Sequence, residues 1–298
     1  MHLLTLADYS EGDIRRRINN ALDHKYNPTP ATTPTGESVA LIFMKPSTRT
    51  RVSLEAAAAY LGLHPIYLEA RTTQLSRGEP IKDFARVLSR YVSGITARVY
   101  SHKDLEELAE RSDVPVINAL SDRFHPLQAL ADLMTIYEHF GRVSGLKIAF
   151  VGDGSSNVAN SLAIGGCKLG AEVRIGTPEE LKPDPLVFEV CGDRVHVTSD
   201  PVEAVKGAHV VYTDVRVSMG QEAEAEKKKA LLRPYQVNAE LVKHAHEDFI
   251  FMHCLPRHVG EEVTDDVFED EEHSVVFDQA ENRMRTAIAV FEDLILGL

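Results

Sequence analysis

Short apolar runs alternate with amphipathic helical segments along the chain, and this alternation restricts the fold more than any other feature of the sequence. In the first half, the runs that indicate buried strands are 39–43, 65–68, 94–100 and 114–119. In the second half they are 147–151, 173–175, 208–214, 249–253 and 275–277. Because strands separated by helices pair in parallel, the pattern predicts an α/β fold with a doubly wound parallel sheet in each half.

The length of the chain and its helix breaks predict two domains. A chain of 298 residues forms one large or two ordinary domains. A long helical pattern from about residue 126 ends before Gly141 and Gly145. We predict a first domain of residues 1–140 with the C-terminal helix 281–298, and a second domain of residues 141–280, linked by long helices.

Composition excludes several classes of function. The net charge of −13 disfavours a nucleic-acid surface. No apolar run reaches the roughly 18 residues of a membrane span, and the first residues lack the pattern of a signal peptide. The three cysteines, Cys167, Cys191 and Cys254, are widely spaced and include no CxxC pair. We therefore expect a cytoplasmic protein without a disulfide framework or a zinc ribbon.

The segment 43–51, Phe-Met-Lys-Pro-Ser-Thr-Arg-Thr-Arg, is the strongest functional signal. It lies between a predicted strand and a predicted helix, and the N–H groups and positive dipole end of a helix N-terminus favour an anion. The ordinary alternative is a capped helix with two surface arginines. Five contiguous donors at a strand end favour phosphate instead. These donors are Ser47, Thr48, Arg49, Thr50 and Arg51.

Further polar residues stand at the predicted carboxyl ends of strands, which is where parallel sheets bind ligands. Arg98 closes one strand, His125 and Gln128 open the long helix, and Asp214 and Cys254 each follow a strand. Taken singly, each has an ordinary interpretation. A histidine at a helix start is usually a cap or a packed residue, and a strand-end cysteine is usually a buried thiol.

The turn Gly152-Asp-Gly-Ser-Ser-Asn157 resembles a dinucleotide turn but lacks the third glycine of GxGxxG. As a nucleotide signal it is therefore weak. Asn157 could bind a carboxylate or cap its own helix.

Taken together, these segments resemble the transcarbamoylase family. Segment 43–51 looks like its carbamoyl-phosphate motif, with Met44 where Glu is commoner, and His125-Pro-Leu-Gln128 matches its second motif. The sequences similar to its ornithine-side and C-terminal motifs are Asp214-Val-Arg-Val-Ser218-Met219-Gly220, His253-Cys-Leu-Pro256 and Glu281-Asn-Arg283-Met. The aspartate branch lacks the Ser-Met-Gly loop and has Pro in place of Cys254, so ornithine is favoured.

The resemblance covers essentially the whole chain, with the motifs in order. It implies a two-domain transcarbamoylase fold and transfer of a carbamoyl group from carbamoyl phosphate to L-ornithine, which yields citrulline for arginine biosynthesis. It implies no cofactor and no metal.

On the carbamoyl-phosphate side, the resemblance implies that segment 47–50 holds the phosphate. Arg98, His125 and Thr50 would donate hydrogen bonds to the carbonyl oxygen as charge develops there. Gln128 and the backbone carbonyl of Leu255 would orient the carbamoyl amide. Arg283 would add a phosphate or carbonyl contact.

On the ornithine side, Asn157 and the backbone N–H of Met219 are implied to bind the α-carboxylate. Asp214 and Ser218 are implied to accept hydrogen bonds from the α-ammonium, and the side-chain amine would reach Cys254. The implied catalytic residues are Arg98, His125, Asp214 and Cys254. Arg216 stands where many ornithine enzymes have Trp.

Gln74 lies in a long polar loop, and long loops in compact domains are often functional. The resemblance implies a homotrimer, or an assembly of trimers, in which this loop reaches into the neighbouring subunit's site.

Three other interpretations remain open. One is a sister transcarbamoylase acting on putrescine or a substituted ornithine, although putrescine has no α-carboxylate or α-ammonium for Asp214 to recognise. Another is a non-catalytic phosphate-binding or regulatory subunit, which would not need to retain Arg49, Arg98, His125 and Gln128. The third is a nicotinamide oxidoreductase, which the missing third glycine disfavours.

Overall fold

Two fully parallel sheets organise the computed structural model of the chain, which describes residues 1–28, 36–217 and 225–298. The described residues divide into two compact units. The first unit is Met1–Ala131 with Asn282–Leu298, and the second unit is Asp132–Glu281. The predicted α/β class with a parallel sheet in each half is confirmed. The predicted division at residues 140 and 280, with its assignment of substrates, stays a prediction.

The sheet of the first unit has four strands in the order β2-β1-β3-β4. The strands are β1 Ser38–Phe43, β2 His64–Glu69, β3 Gly94–Arg98 and β4 Val116–Leu120. The helices are α1 Glu11–Tyr26, α2 Thr48–Tyr60, α3 Ile81–Leu88, α4 His102–Arg111 and the start of α5 Pro126–Phe140. Val39 to Phe43 are buried, as expected for a parallel strand that is covered on both faces.

The sheet of the second unit has five strands in the order β7-β6-β5-β8-β9. The strands are β5 Lys147–Val151, β6 Glu172–Gly176, β7 Val195–Thr198, β8 Val210–Thr213 and β9 Ile250–His253. The helices are α6 Asn157–Lys168, α7 Pro185–Cys191, α8 Pro201–Val205, α9 Ala225–Leu232, α10 Ala239–Val242, α11 Asp265–Phe268 and the start of α12 Val276–Phe291. No helix in the described part of the chain is long and apolar enough to cross a membrane.

Strand register decides which polar residues become neighbours. Phe43 is paired with Arg98 across β1 and β3, so the turn after β1 begins beside Arg98. Thr213 is paired with His253 across β8 and β9, so the residues that follow these two strands emerge side by side. Parallel pairing therefore gathers polar strand ends at one edge of each sheet.

Two features of the strand prediction need correction. The predicted strand at 275–277 is wrong, because α12 begins at Val276 and only a single bridge joins Ser274 to Phe251. A short apolar run does not distinguish a strand from the buried start of a helix. Strand β7 was not predicted, since it is only four residues long and alternates apolar with polar residues.

Candidate active site

The turn after β1 has the form that the sequence predicts. Ser47 is the N-cap of α2, and its hydroxyl accepts a hydrogen bond of 3.4 Å from the backbone N–H of Thr50. Thr48, Arg49 and Thr50 form the first helical turn, where backbone N–H groups lack partners within the helix. The side chains of Thr48 and Arg49 are exposed, whereas Thr50 is buried. The turn therefore exposes hydrogen-bond donors to solvent, where they can bind an anion.

The two arginines of this turn differ in their surroundings. Arg51 donates from Nε to Glu55 at 2.8 Å, and its guanidinium carbon lies 3.6 Å from the ring centroid of Tyr67. No ion pair engages Arg49 within the described ranges. Of the two, Arg49 is therefore the arginine better placed to bind an anion.

Arg283 joins three sequence motifs in the first unit. Its Nη1 donates to the side-chain oxygen of Gln128 at 2.6 Å, and its Nη2 donates to the hydroxyl of Thr50 at 3.3 Å. All three side chains are buried. Residues of α2, α5 and α12 therefore form one buried polar cluster.

His125 belongs to the same cluster. It is buried immediately before α5. Burial, and then the positive charges of Arg283 and Arg98, hold the pKa of His125 well below its ordinary value. The imidazole is therefore neutral at neutral pH, and it can still donate a hydrogen bond from the nitrogen that carries the proton.

Gln74 is exposed and begins the 3-10 turn Gln74–Arg77, which follows a first such turn at Ala70–Thr72. Within the residues that the structure describes, no hydrogen bond joins the Gln74 side chain to the polar cluster of Arg283. Its predicted role in a neighbouring subunit's site stays a prediction.

In the second unit, Asp214 and Cys254 come together at the ends of β8 and β9. The Cys254 thiol donates to Oδ1 of Asp214 at 3.0 Å. Burial raises the pKa of Asp214, although the neighbouring His253 and the hydrogen bond from Cys254 act in the opposite direction. A buried carboxylate of this kind gains from a cationic partner, and the α-ammonium of an amino acid is one.

Leu255 follows Cys254 in a left-handed conformation, with φ of 60°, and precedes a cis peptide bond to Pro256. Its backbone N–H donates to Nδ1 of His253 at 2.9 Å. Nε2 of that ring therefore carries the proton and donates to Glu262 at 3.1 Å. Both His253 and Glu262 are buried, so a fixed imidazole holds the backbone of Leu255 in place.

Glu262 and Gln279 support this strand end, and the sequence reasoning missed both. Burial alone would raise the pKa of Glu262, but hydrogen bonds from His253 and from the His258 N–H outweigh it and lower that pKa. Gln279 accepts from the backbone N–H of His253 at 3.0 Å and donates to Asp132 at 2.7 Å. These partners are distant in the sequence, so no local spacing could have revealed them.

Asn157 is the first residue of α6 and is half-buried. The cap of this helix is Ser156, whose hydroxyl accepts from the N–H of Ala159 at 3.1 Å. Ser156, and not Asn157, is therefore the N-cap of α6. Gly154, in the turn before it, has a packing role, because a Cβ there would lie 2.8 Å from the carbonyl oxygen of Leu181.

Ser218, Met219 and Gly220 lie outside the described residues, so their predicted contacts with ornithine stay predictions. Arg216, just before them, is half-buried and donates to the backbone carbonyl of Glu261. Burial is the main cause that lowers the pKa of Arg216.

Metal-ligating atoms also approach one another in the second unit. In the described ranges, the ligand atoms of Asp214, His253 and Cys254 lie within 4.8 Å of each other, as do those of His258, Glu261 and Glu262. The hydrogen bond from Cys254 to Asp214 lies within the first group, and the hydrogen bond between His253 and Glu262 joins the two groups, so these ligand atoms already have protein partners.

The fold and the two clusters describe a two-domain α/β protein with an anion-binding turn in one unit and a carboxylate–thiol pair in the other. Residues 1–138 match the family model for the carbamoyl-P binding domain of aspartate/ornithine carbamoyltransferase. Residues 144–294 match the model for the Asp/Orn binding domain of the same family. The chain therefore belongs to the aspartate/ornithine carbamoyltransferase family and is a carbamoyltransferase.

Relatives and solved structures agree with this assignment. The anabolic ornithine carbamoyltransferase of Pyrococcus furiosus is 53% identical to the chain over 99% of the chain and 96% of that protein. A solved ornithine carbamoyltransferase from Pyrococcus furiosus superposes with a TM-score of 0.94 at 52% identity, covering 100% of this chain and 97% of that one. The solved ornithine carbamoyltransferase from Thermus thermophilus has a TM-score of 0.91 at 42% identity, covering 99% of this chain and 98% of that one.

Proposed function

We propose that the chain transfers the carbamoyl group of carbamoyl phosphate to the side-chain amine of L-ornithine, giving L-citrulline and phosphate. The observation that carries this proposal is the Arg283 cluster, in which Thr50 and Gln128, from two separate motifs, bind one guanidinium beside His125. The matched carbamoyl-P binding domain supports the same reaction. Relatives whose names include "anabolic" support citrulline synthesis within arginine biosynthesis.

The phosphate of carbamoyl phosphate binds at the N-terminus of α2. Ser47, Thr48 and Thr50 supply hydroxyl donors, and Arg49 supplies the exposed guanidinium. The backbone N–H groups of the first turn and the helix dipole stabilise the dianion further. The same donors stabilise phosphate as it leaves.

The carbonyl oxygen gains negative charge as the amine attacks. Arg98, Thr50 and neutral His125 donate hydrogen bonds to it and so stabilise the tetrahedral intermediate. His125 contributes a directed donor, while the arginines contribute the positive charge. Gln128, whose side-chain oxygen accepts from Arg283, and the Leu255 carbonyl orient the carbamoyl amide.

Ornithine is recognised by its α-amino acid end. Asp214 and Ser218 accept hydrogen bonds from the α-ammonium, while Asn157 and the Met219 N–H bind the α-carboxylate. The side-chain amine has an ordinary pKa near 10, by analogy with lysine, and attacks only in its neutral form. It approaches beside Cys254. As the new C–N bond forms and the C–O bond to phosphate breaks, the amine loses one proton and the products are citrulline and hydrogen phosphate.

The direct test is citrulline formation from carbamoyl phosphate and ornithine by the purified chain and by Arg49→Ala. Loss of the phosphate contact lowers kcat/KM by at least about 100-fold, since a charge-assisted contact is removed. Arg111→Ala is the matched control, because Arg111 is an exposed arginine at the end of α4 in the same unit. An Arg49→Ala variant with unchanged kcat/KM would sink the proposal for the phosphate site.

We also propose that the chain acts as a homotrimer in which the Gln74 loop completes the neighbouring subunit's site. The family resemblance supports this. So do three exposed apolar side chains of the first unit, Val52, Val87 and Tyr91, whose exposure favours an interface. Mixed trimers of Arg49→Ala and Gln74→Ala subunits test it. Shared sites restore activity, because one site in the mixture is intact, whereas unshared sites leave every site defective.

A further inference from the structure

A cavity of about 540 Å³ opens at the amino ends of the strands in the second unit. Lys147 begins β5, His209 immediately precedes β8, and Phe249 immediately precedes β9. The substrate residues discussed above follow the carboxyl ends of these strands, at the other edge of the same sheet. None of the residues lining this cavity takes part in the proposed reaction.

Two stacked histidines in the cavity are fixed in one tautomer. Nδ1 of His209 accepts from the backbone N–H of Lys147 at 3.1 Å, and Nδ1 of His246 accepts from the N–H of Asp248 at 3.2 Å. A backbone amide can only donate, so each neutral ring carries its proton on Nε2. The ring centroids are 4.7 Å apart, with an angle of 21° between the planes.

Both Nε2–H groups are available to a ligand. Across the part of the chain that the structure describes, neither has a hydrogen-bond partner, and neither is among the buried polar atoms that lack one. Both rings line the cavity, and Nδ1 of each accepts a backbone N–H, so Nε2–H is the group that each ring offers to a ligand.

The charged groups that face His209 are cationic. Burial lowers the pKa of His209, and the charges of His246, Arg142 and Lys147 lower it further. Arg142 is exposed and has no ion pair within the described ranges. The other ionisable groups that line the cavity are His139, Glu247, Asp248, Glu272 and His273. His273 is hydrogen-bonded to Asp270 at 2.8 Å, and an Asp248 carboxylate oxygen lies 3.9 Å from Nδ1 of His246. The three acidic side chains of the lining are exposed.

The rest of the lining is apolar. Phe140 meets the His209 ring edge-on, with 6.0 Å between centroids, and Phe249 stacks on His273 at 4.4 Å. Leu146 and Ile250 complete this surface. A cavity with convergent donors and apolar walls suits a small organic molecule.

We propose that this cavity is a second anion site, which binds a small ligand carrying a carboxylate or phosphate group through His209, His246 and Arg142. The two histidines act as donors through Nε2–H, because Nδ1 of each ring accepts a backbone N–H. This site does not depend on the proposed carbamoyl transfer.

The test uses Arg49→Ala as the background, so that phosphate does not occupy the anion-binding turn of the first unit. Inorganic phosphate and succinate are titrated calorimetrically into this variant at pH 7. Adding His246→Phe keeps the ring stack but removes one donor. We expect at least about tenfold weaker binding, as for any lost hydrogen bond to a charged group.

Arg142→Gln weakens binding in the same way, whereas His196→Phe, at an exposed histidine of β7, leaves it unchanged. His246 is 40% exposed, so its replacement does not open the core. Binding of only one of the two anions assigns the site to that oxyanion. The proposal is overturned if neither anion binds, or if His246→Phe binds equally well.

Discussion

Arg98, His125 and Arg283 are the residues whose proximity matters most at the level of single side chains. Both guanidiniums act on the pKa of His125, which burial has already lowered. Because His125 is neutral, it does not repel these cations. It can act as a hydrogen-bond donor with a fixed direction. In the proposed reaction, transition-state charge would therefore be stabilised by groups whose protonation is set before the substrate binds.

The neutral state of His125 has a consequence for stability. Below pH 6.5 the unfolded chain protonates this histidine while the folded chain does not, so the free energy of unfolding falls as the pH falls. For wild type this group lowers the free energy of unfolding by on the order of 1 kcal/mol at pH 5.5 and by almost nothing at pH 7.5. His125→Gln removes that dependence.

Urea unfolding of both proteins at pH 7.5 and 5.5 measures the effect. Other histidines with lowered pKa, such as His102 and His209, are present in both proteins. Their contributions to the pH dependence of stability therefore cancel in the comparison. Equal losses of stability in wild type and His125→Gln would mean that His125 is not held neutral.

Asp214 gives a second prediction for a single residue. Asp214→Asn removes the charge that pairs with the α-ammonium, so kcat/KM for ornithine falls by about 100-fold while KM for carbamoyl phosphate stays within about twofold. Initial rates with each substrate varied in turn provide the measurement. Asp193→Asn, an exposed position in the same unit, is the control. An equal weakening of both substrates would contradict a role confined to ornithine.

Sequence reasoning located the strand-end residues correctly but not their supports. Arg98, Asp214 and Cys254 could be found because parallel strands end at one edge of a sheet. Glu262 holds His253, and Gln279 binds the backbone of that same residue, through contacts that depend on the folded backbone. Arg283 was found only through the family resemblance, since 155 residues separate it from Gln128.

Among the elements, helix α2 combines a structural and a functional start. Its N-cap bond from Thr50 to Ser47 is 3.4 Å long, whereas the corresponding bond at α1, from Asp13 to Ser10, is 3.1 Å and belongs to a capping box. The longer bond suggests that Ser47 contributes less to helix stability than Ser10 does. We therefore expect the main role of the Ser47 hydroxyl to be phosphate binding.

We expect replacement of the two serines to have opposite effects on stability and on activity. Ser10→Ala lowers the free energy of unfolding by about 1 kcal/mol and leaves kcat/KM unchanged. Ser47→Ala lowers stability less but reduces kcat/KM at limiting carbamoyl phosphate by at least about tenfold, because one phosphate donor is lost. Denaturation curves and initial rates on the same preparations decide between them. A Ser47→Ala variant that is unstable but fully active would show that Ser47 is only a cap.

Element types were easier to predict than their ends. The alternation of apolar runs and helical patterns identified the parallel α/β class, because that class needs buried strands joined by helices. The apolar run at 275–277 was misassigned, since Val276 is buried as part of α12 rather than within a sheet. In so short a buried segment, the apolar residues show no periodicity that could distinguish a strand from a helix.

At the scale of the whole molecule, the chain divides its recognition tasks between two units. The first unit carries the anion-binding turn and the Arg283 cluster. The second carries the Asp214–Cys254 pair and, at the opposite edge of its sheet, the histidine-lined cavity. We therefore expect replacements in the second unit to alter the choice of amine, and replacements in the first unit to alter the use of the carbamoyl donor.

The most direct test of the central claim, that ornithine is the acceptor, offers carbamoyl phosphate with ornithine, putrescine, N-acetylornithine and aspartate in parallel assays. Product formation with ornithine should exceed that with each other amine by at least about 100-fold in kcat/KM, because only ornithine pairs a free α-ammonium with an attacking side-chain amine. A preference for putrescine, N-acetylornithine or aspartate would contradict the role of Asp214, and no product with any of the four would contradict carbamoyl transfer itself.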